Sequence, residues 1–137
     1  MPNKRNTTGL VFDRMDTIGD YLVVFDPHIP ARHRRSLWEQ VTKYQAEAQA
    51  YAEMAYLEYD AAEKLRLVRD ARKYFRVFIR YWTKCCKTGE FRFGQANIID
   101  IAERIEEVTA ELDRWSAKLR RVSSGKAAAM PGAPGED

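Results

Sequence analysis

A chain of 137 residues that is 45% apolar and 12% aromatic has the material for one domain with a real core, and its only two cysteines exclude a disulfide framework. The net charge of +3 is unevenly placed: residues 60–93 hold ten Lys/Arg against four acids, a surplus of six that leaves the rest of the chain at −3. No run approaches the ~18 uninterrupted apolar residues of a spanning helix. A soluble, cytoplasmic protein in a reducing compartment is therefore expected, with no membrane partner.

Residues 1–9 carry charges but neither the apolar core nor the cleavage site of a signal peptide, and read as a flexible end before a domain at 10–122. Val11, Met15, Ile18, Leu22, Phe25 and Ile29 recur at spacings of four and three, which is one helical face. Gly19 lies inside it at a cost of roughly 1 kcal/mol relative to Ala, as a glycine allowing close helix approach would. Pro27 and Pro30 end the helix, because each biases the preceding residue away from helical geometry.

A second helix starts near Pro30, with a seam of Leu37, Val41, Tyr44, Ala48, Tyr51 and Ala55. It opens on Arg32, His33, Arg34 and Arg35, cations that oppose the helix dipole there and so gain the fold nothing. Its alanines, Ala46, Ala48, Ala50, Ala52 and Ala55, predict tight packing on a neighbour.

The third helix begins at Asp60, a plausible N-cap with Glu63 in the capping-box position, and stops at Gly89. At 100° per residue Arg66, Arg69, Lys73, Arg76, Arg80, Lys84 and Lys87 share a strip roughly 80° wide. The opposite arc, about 160° wide, holds Leu65, Leu67, Val68, Phe75, Phe78, Ile79, Tyr81 and Trp82, more than a narrow coiled-coil seam requires. Residues 90–94 read as a turn. A fourth helix over 95–121 has its seam at Ile98, Ile101, Ile105, Val108, Leu112, Trp115, Leu119 and Val122, and the Gly/Pro/Ala-rich residues 123–137 read as a disordered tail. Four long helices without a strand signal predict an all-α, up-down-up-down four-helix bundle. That order sets Arg32, Arg34 and Arg35 at the same end as Lys84 and Lys87.

The chain shows no phosphate-binding loop, dinucleotide fingerprint or paired metal-ligand motif, so no catalytic residue, metal, cofactor or small-molecule substrate is assigned. His28 and His33 lack a second ligand at helical spacing. Glu103, Glu106, Glu107 and Glu111 read as a solvated face, and Cys85 and Cys86 as buried thiols on the apolar arc. Tyr74, Phe75, Phe78, Tyr81 and Trp82 share a face with Leu65 and Ile79 and read as core before a base-stacking platform. For the cationic strip two readings stay open. It is either a solvated face neutralised by Asp100, Glu103, Glu107 and Glu111 of the fourth helix, or a track for a phosphate backbone. Four of its seven cations are Arg, the residue suited to bidentate phosphate contact, and Arg32, Arg34 and Arg35 extend it. Its length, about 30 Å at ~1.5 Å per residue, suits such a track.

Three features resemble the accessory variability determinant (Avd) proteins of diversity-generating retroelements, and the likeness extends over most of residues 10–122. They are the turn Ile29-Pro30 with Arg32-His33-Arg34, the run FRVFIRY at 75–81, and Glu107-Val108, Leu112, Trp115, Lys118 and Arg120-Arg121 in the fourth helix. Asp113-Arg114 stands where that family often has glycine. The resemblance implies a four-helix protomer in a homopentameric barrel that associates with the retroelement's reverse transcriptase and its template RNA or cDNA. Such a protein performs no chemistry itself but supports mutagenic cDNA synthesis. The basic positions of the third helix and of the second helix's start, namely Arg66, Arg69, Lys73, Arg76, Arg80, Lys84, Lys87, Arg32, Arg34 and Arg35, become its nucleic-acid-binding candidates. The alternative is a structural protein–protein interaction bundle, of the type encoded in ribosomal intervening sequences, with no direct nucleic-acid role.

Overall fold

A computed structural model describes residues 7–128, with side chains over 9–122. Four helices make up an all-α bundle, and no strand occurs among the described residues. Helix α1 is Thr7–Phe25, and a 3-10 turn at Asp26–His28 follows it. Helix α2 spans residues 31–57 in three continuous pieces: Ala31–His33, a π-helical stretch at Arg34–Trp38, and Glu39–Leu57. Helix α3 is Ala61–Thr88 and α4 is Gln95–Ala128. The segment expected to be a flexible N-terminus thus turns helical from Thr7, and the expected tail starts as a continuation of α4 up to Ala128. Residues 1–6 and 129–137 lie outside the described residues.

Each helix packs on its sequence neighbour, and α4 closes the ring on α1. Cross-helix pairs fix the antiparallel sense. Phe12 meets Tyr56 while Trp38 meets Asp26 between α1 and α2, and Arg14 pairs with Glu107 while Tyr21 meets Asp100 between α1 and α4. The connectivity is up-down-up-down, as the short links require.

The predicted face of α1 is buried at every position from Val11 to Ile29. On α2 the buried stripe is Trp38, Val41, Gln45, Ala48, Ala52 and Ala55, which keeps Val41, Ala48 and Ala55 of the expected seam and replaces Leu37, Tyr44 and Tyr51 by the residue that follows each. The physical reason is size. Alanines let α2 sit close to its neighbours, and the tyrosines are too large for that contact, so they lie across the adjoining groove. Ala46 and Ala50 are exposed and take no part in the packing. Gln45, buried in the stripe, donates from Nε2 to the Met15 carbonyl at 2.9 Å, so its amide is not left unpaired.

The α3 N-cap forms as its sequence predicts: Asp60 Oδ2 accepts from the Glu63 N–H at 2.9 Å. The reciprocal half of the capping box does not form, because the Glu63 carboxylate turns to Arg66 and the Asp60 N–H donates instead to Glu58 Oε2. Gly89 ends the helix at φ 77°, a left-handed conformation that side chains disfavour. The following turn is more than a connector. Phe91 and Phe93 fold inward against Phe25, Trp38 and Trp82, with Phe93 4.6 Å from Phe25 and 4.7 Å from Trp82 between ring centroids. This aromatic plug closes the end of the bundle where α2 starts and α3 stops.

Candidate nucleic-acid interface

Helix α3 buries Leu67, Val68, Ala71, Phe75, Phe78, Trp82 and Cys85, a spacing of three and four that turns every strip cation away from the core. Arg66, Arg69, Lys73, Arg76, Arg80, Lys84 and Lys87 are all exposed, interrupted on that face by little more than Ala62 and Thr83. Arg66 alone of the seven forms ion pairs among the described residues, with Glu63 and Asp70 on its own helix. Its hydrogen bond to Glu63 raises the Arg66 pKa and lowers that of Glu63, as a pairing of opposite charges must. Arg69, Lys73, Arg76, Arg80, Lys84 and Lys87 have no ion-pair partner among the described residues.

The acids of α4 do not cover the strip. Glu107 pairs with Arg14 of α1, and Asp100 with Arg104 while accepting from the Tyr21 hydroxyl. Glu111 pairs with Arg114 on its own helix. The Asp100 carboxyl is held below its ordinary value, mainly by the Tyr21 hydrogen bond. One pair joins α3 to α4, Arg72 Nη2 to Asp113 Oδ1 at 2.8 Å, and Arg72 lies beside the core and off the strip. Asp100, Glu107 and Glu111 are thus engaged with α1 or with arginines of α4 itself, and none of them pairs with a strip cation.

Arg32, Arg34 and Arg35 sit at the strip's far end as the helix order predicts, but two of them are occupied. Arg32 and His33 both reach Glu90, just past α3. Arg34 Nη1 donates to Asp26 Oδ2 at 3.3 Å and its other amino group to the Asp26 carbonyl. Arg35 is exposed with no acidic partner among the described residues. The Pro-basic turn therefore serves the fold first, by clamping the two ends of α2 and α3 around the plug.

The aromatics of α3 divide. Phe75, Phe78 and Trp82 are core, whereas Tyr74 and Tyr81 are half-buried in the α2–α3 groove beside the strip. There they stack with Tyr44 and Tyr51 of α2; each helix carries its pair seven residues apart, and only the packing of α2 on α3 brings the two pairs together. Burial pushes the Cys85 thiol up to about 12 and that of Cys86 to about 11, which leaves neither as a thiolate nucleophile or ligand near neutral pH. No group of three potential metal ligands occurs among the described residues, and no helix there is long and apolar enough to cross a membrane. No family model, curated protein or solved structure matches the chain.

Proposed function

We propose that this protein is a noncatalytic accessory factor of a diversity-generating retroelement. In this reading it binds the reverse transcriptase and the template RNA or cDNA, and it supports mutagenic cDNA synthesis as a homopentamer in the cytoplasm. The observation that carries the nucleic-acid part is the row of six exposed strip cations that form no ion pair among the described residues. The retroelement part rests on the resemblance of the Pro-basic turn, the FRVFIRY run and the end of the fourth helix.

An unneutralised row of this kind is costly for the isolated fold, since like charges three and four residues apart on a helix repel. A polyanion removes that repulsion. Each phosphate met by a cation releases counterions, so affinity is gained without base recognition and falls steeply with salt. Six contacts correspond to a slope of log K against log salt of about −5 on duplex and about −4 on a single strand. The test is a fourfold reversal, Arg69→Glu, Lys73→Glu, Arg76→Glu and Arg80→Glu, with RNA binding followed by fluorescence anisotropy at low salt. Binding should be lost while the helical circular dichroism is kept, because all four side chains are exposed. Retained binding would sink the strip as the site.

The second reading, a structural interaction bundle, is favoured by the apolar side chains Met54, Tyr56, Leu57 and Tyr59, exposed where α2 turns into α3. It predicts a partner affinity that barely responds to salt. The two readings therefore separate in one titration.

A further inference from the structure

Helices α1 and α3 stand diagonally across the bundle, and on the side away from the strip α1 and α2 enclose a cleft of about 300 Å³. Its inner wall holds an acceptor without a donor. Gln45 is only 6% exposed, and its Nε2 donates to the Met15 carbonyl at 2.9 Å and to Gln49 Oε1 at 3.0 Å. Its own Oε1 accepts no hydrogen bond among the described residues. The two ends of the amide cannot be exchanged, since an oxygen in place of Nε2 would face the Met15 oxygen. Gly19 keeps Oε1 open to the cleft, because a Cβ there would stand 3.5 Å from it. A buried acceptor left unpaired is rare in folded proteins and marks a place where a donor belongs. The other polar groups of the cleft are acceptors too. Thr42 gives its hydroxyl hydrogen to carbonyls of its own helix and keeps its oxygen lone pairs, and Asp26 presents a carboxylate. Leu22, Pro27 and Val23, the last 71% exposed, supply apolar wall. Asp16 and Asp20 flank Gly19 on α1, and Glu39 lies one turn before Thr42 on α2. All three are exposed and form no ion pair among the described residues.

An apolar-walled cleft whose free polar atoms only accept, set among unpaired acids, suits a side chain that carries donors on an apolar stem. We propose that the α1–α2 cleft is a docking pocket for an arginine of a basic polypeptide partner. A guanidinium presents five N–H donors in a planar fork, enough for Gln45 Oε1, the Thr42 oxygen and the Asp26 carboxylate together. Its aliphatic stem lies against Leu22 and Val23. Arg34 already offsets the charge of Asp26, so the net pull on the incoming cation comes from Asp16, Asp20 and Glu39. A lysine ammonium is more strongly hydrated and has fewer donors, so it fits this set of acceptors less well. The same acids repel a nucleic acid, which makes this a protein-binding face. A second copy of the chain also carries exposed arginines, but they lie on the strip, and docking them here would cover the row that the proposed nucleic-acid contact uses. A separate partner leaves both faces available at once. The inference goes beyond the function proposed above, because it gives the bundle one face for phosphates and, across from it, one for a basic protein.

The test uses a labelled peptide of repeated Ala-Leu-Arg, the same peptide with lysine, and the same with citrulline, which keeps the shape of arginine without its charge. Each is titrated with the full chain and followed by fluorescence anisotropy. Wild-type protein should hold the arginine peptide, hold the lysine peptide severalfold more weakly, and fail to hold the citrulline peptide. Gln45→Met keeps the volume and removes the acceptor, so it should weaken the arginine peptide by about tenfold or more while changing the lysine peptide less. Gly19→Ala, whose methyl covers the oxygen, should act in the same direction with the helix intact. Asp20→Lys, at an exposed position, should weaken both basic peptides. No binding by wild type, equal binding of the arginine and lysine peptides, or an arginine affinity that neither Gln45→Met nor Gly19→Ala lowers would overturn the pocket. Should Gln45→Met lose its helical circular dichroism, Gly19→Ala decides. Sedimentation velocity reads the second copy as occupant: an assembly that Gly19→Ala dissociates would put another copy's strip arginine in the cleft and overturn the separate partner. The fourfold strip reversal keeps the two ideas apart. It should abolish RNA binding and spare the arginine peptide. If RNA binding survives it and the peptide behaves as described, only the strip fails, whereas if RNA binding is lost and the peptide shows no arginine preference, only the pocket fails.

Discussion

Asp26 shows how much one side chain can organise. Its Oδ1 accepts the indole N–H of Trp38 at 2.8 Å, and its Oδ2 and backbone carbonyl accept from Arg34. The Trp38 hydrogen bond, seconded by Arg34, holds the carboxyl below its ordinary value against the opposing effect of burial. A depressed folded pKa means that the ionised carboxylate stabilises the fold above the unfolded value near ~3.9 and that this contribution is lost as pH falls through the folded value. Asp26→Ala strands the N–H of a buried tryptophan and should cost about 1–3 kcal/mol at neutral pH. Asp26→Asn keeps an oxygen for Trp38 and should cost less. Thermal unfolding at pH 7 and below pH 4 checks both, and the gap between wild type and Asp26→Asn should narrow in acid. A gap that is unchanged in acid would mean that the carboxylate charge is not what holds the turn. The sequence marks Asp26 only as part of a helix break; its partners come from residues eight and twelve positions on, through the π-helical turn at Arg34–Trp38.

Among the elements, α3 is the most legible, because capping, periodicity and stop signal agree: Asp60 at the start, cations and apolar residues on opposite faces, Gly89 at the end. The α2 seam was harder to read. Its register depends on which residues are small enough to approach a neighbour, and only packing decides between Tyr44 and Gln45 or between Tyr51 and Ala52. Helix α1 carries a glycine whose reason is not close approach. A Cβ on Gly19 would meet the Gln45 amide at 3.5 Å, an ordinary contact. Gly19→Ala should therefore stabilise the protein by up to about 1 kcal/mol, or roughly 4 °C in melting temperature for a domain of this size. Differential scanning calorimetry measures it. A fall would show that the Gln45 amide, held by its bond to the Met15 carbonyl, cannot yield.

For the molecule as a whole, the charge separates by side. Arg14 of α1 pairs with Glu107 of α4, while six of the seven strip cations of α3 have no ion-pair partner among the described residues. Such a one-sided field steers polyanions and raises their local concentration at modest salt. Proposed assembly into a pentamer is open to a direct measurement: light scattering should give about five times the 15.9 kDa of one chain, and a clean monomer across micromolar concentrations would remove the barrel from the functional reading. By itself the sequence determined the helices, the bundle order and the strip on α3, because periodicity, caps and chain-break residues act within a few residues of one another. The tertiary structure alone decided where the α4 acids point, that Arg32 and Arg34 are tied to Glu90 and Asp26, and that four tyrosines from two helices lie in one row. Each of those depends on the rotation of one helix against another, which the packing of the whole core sets and no local spacing encodes.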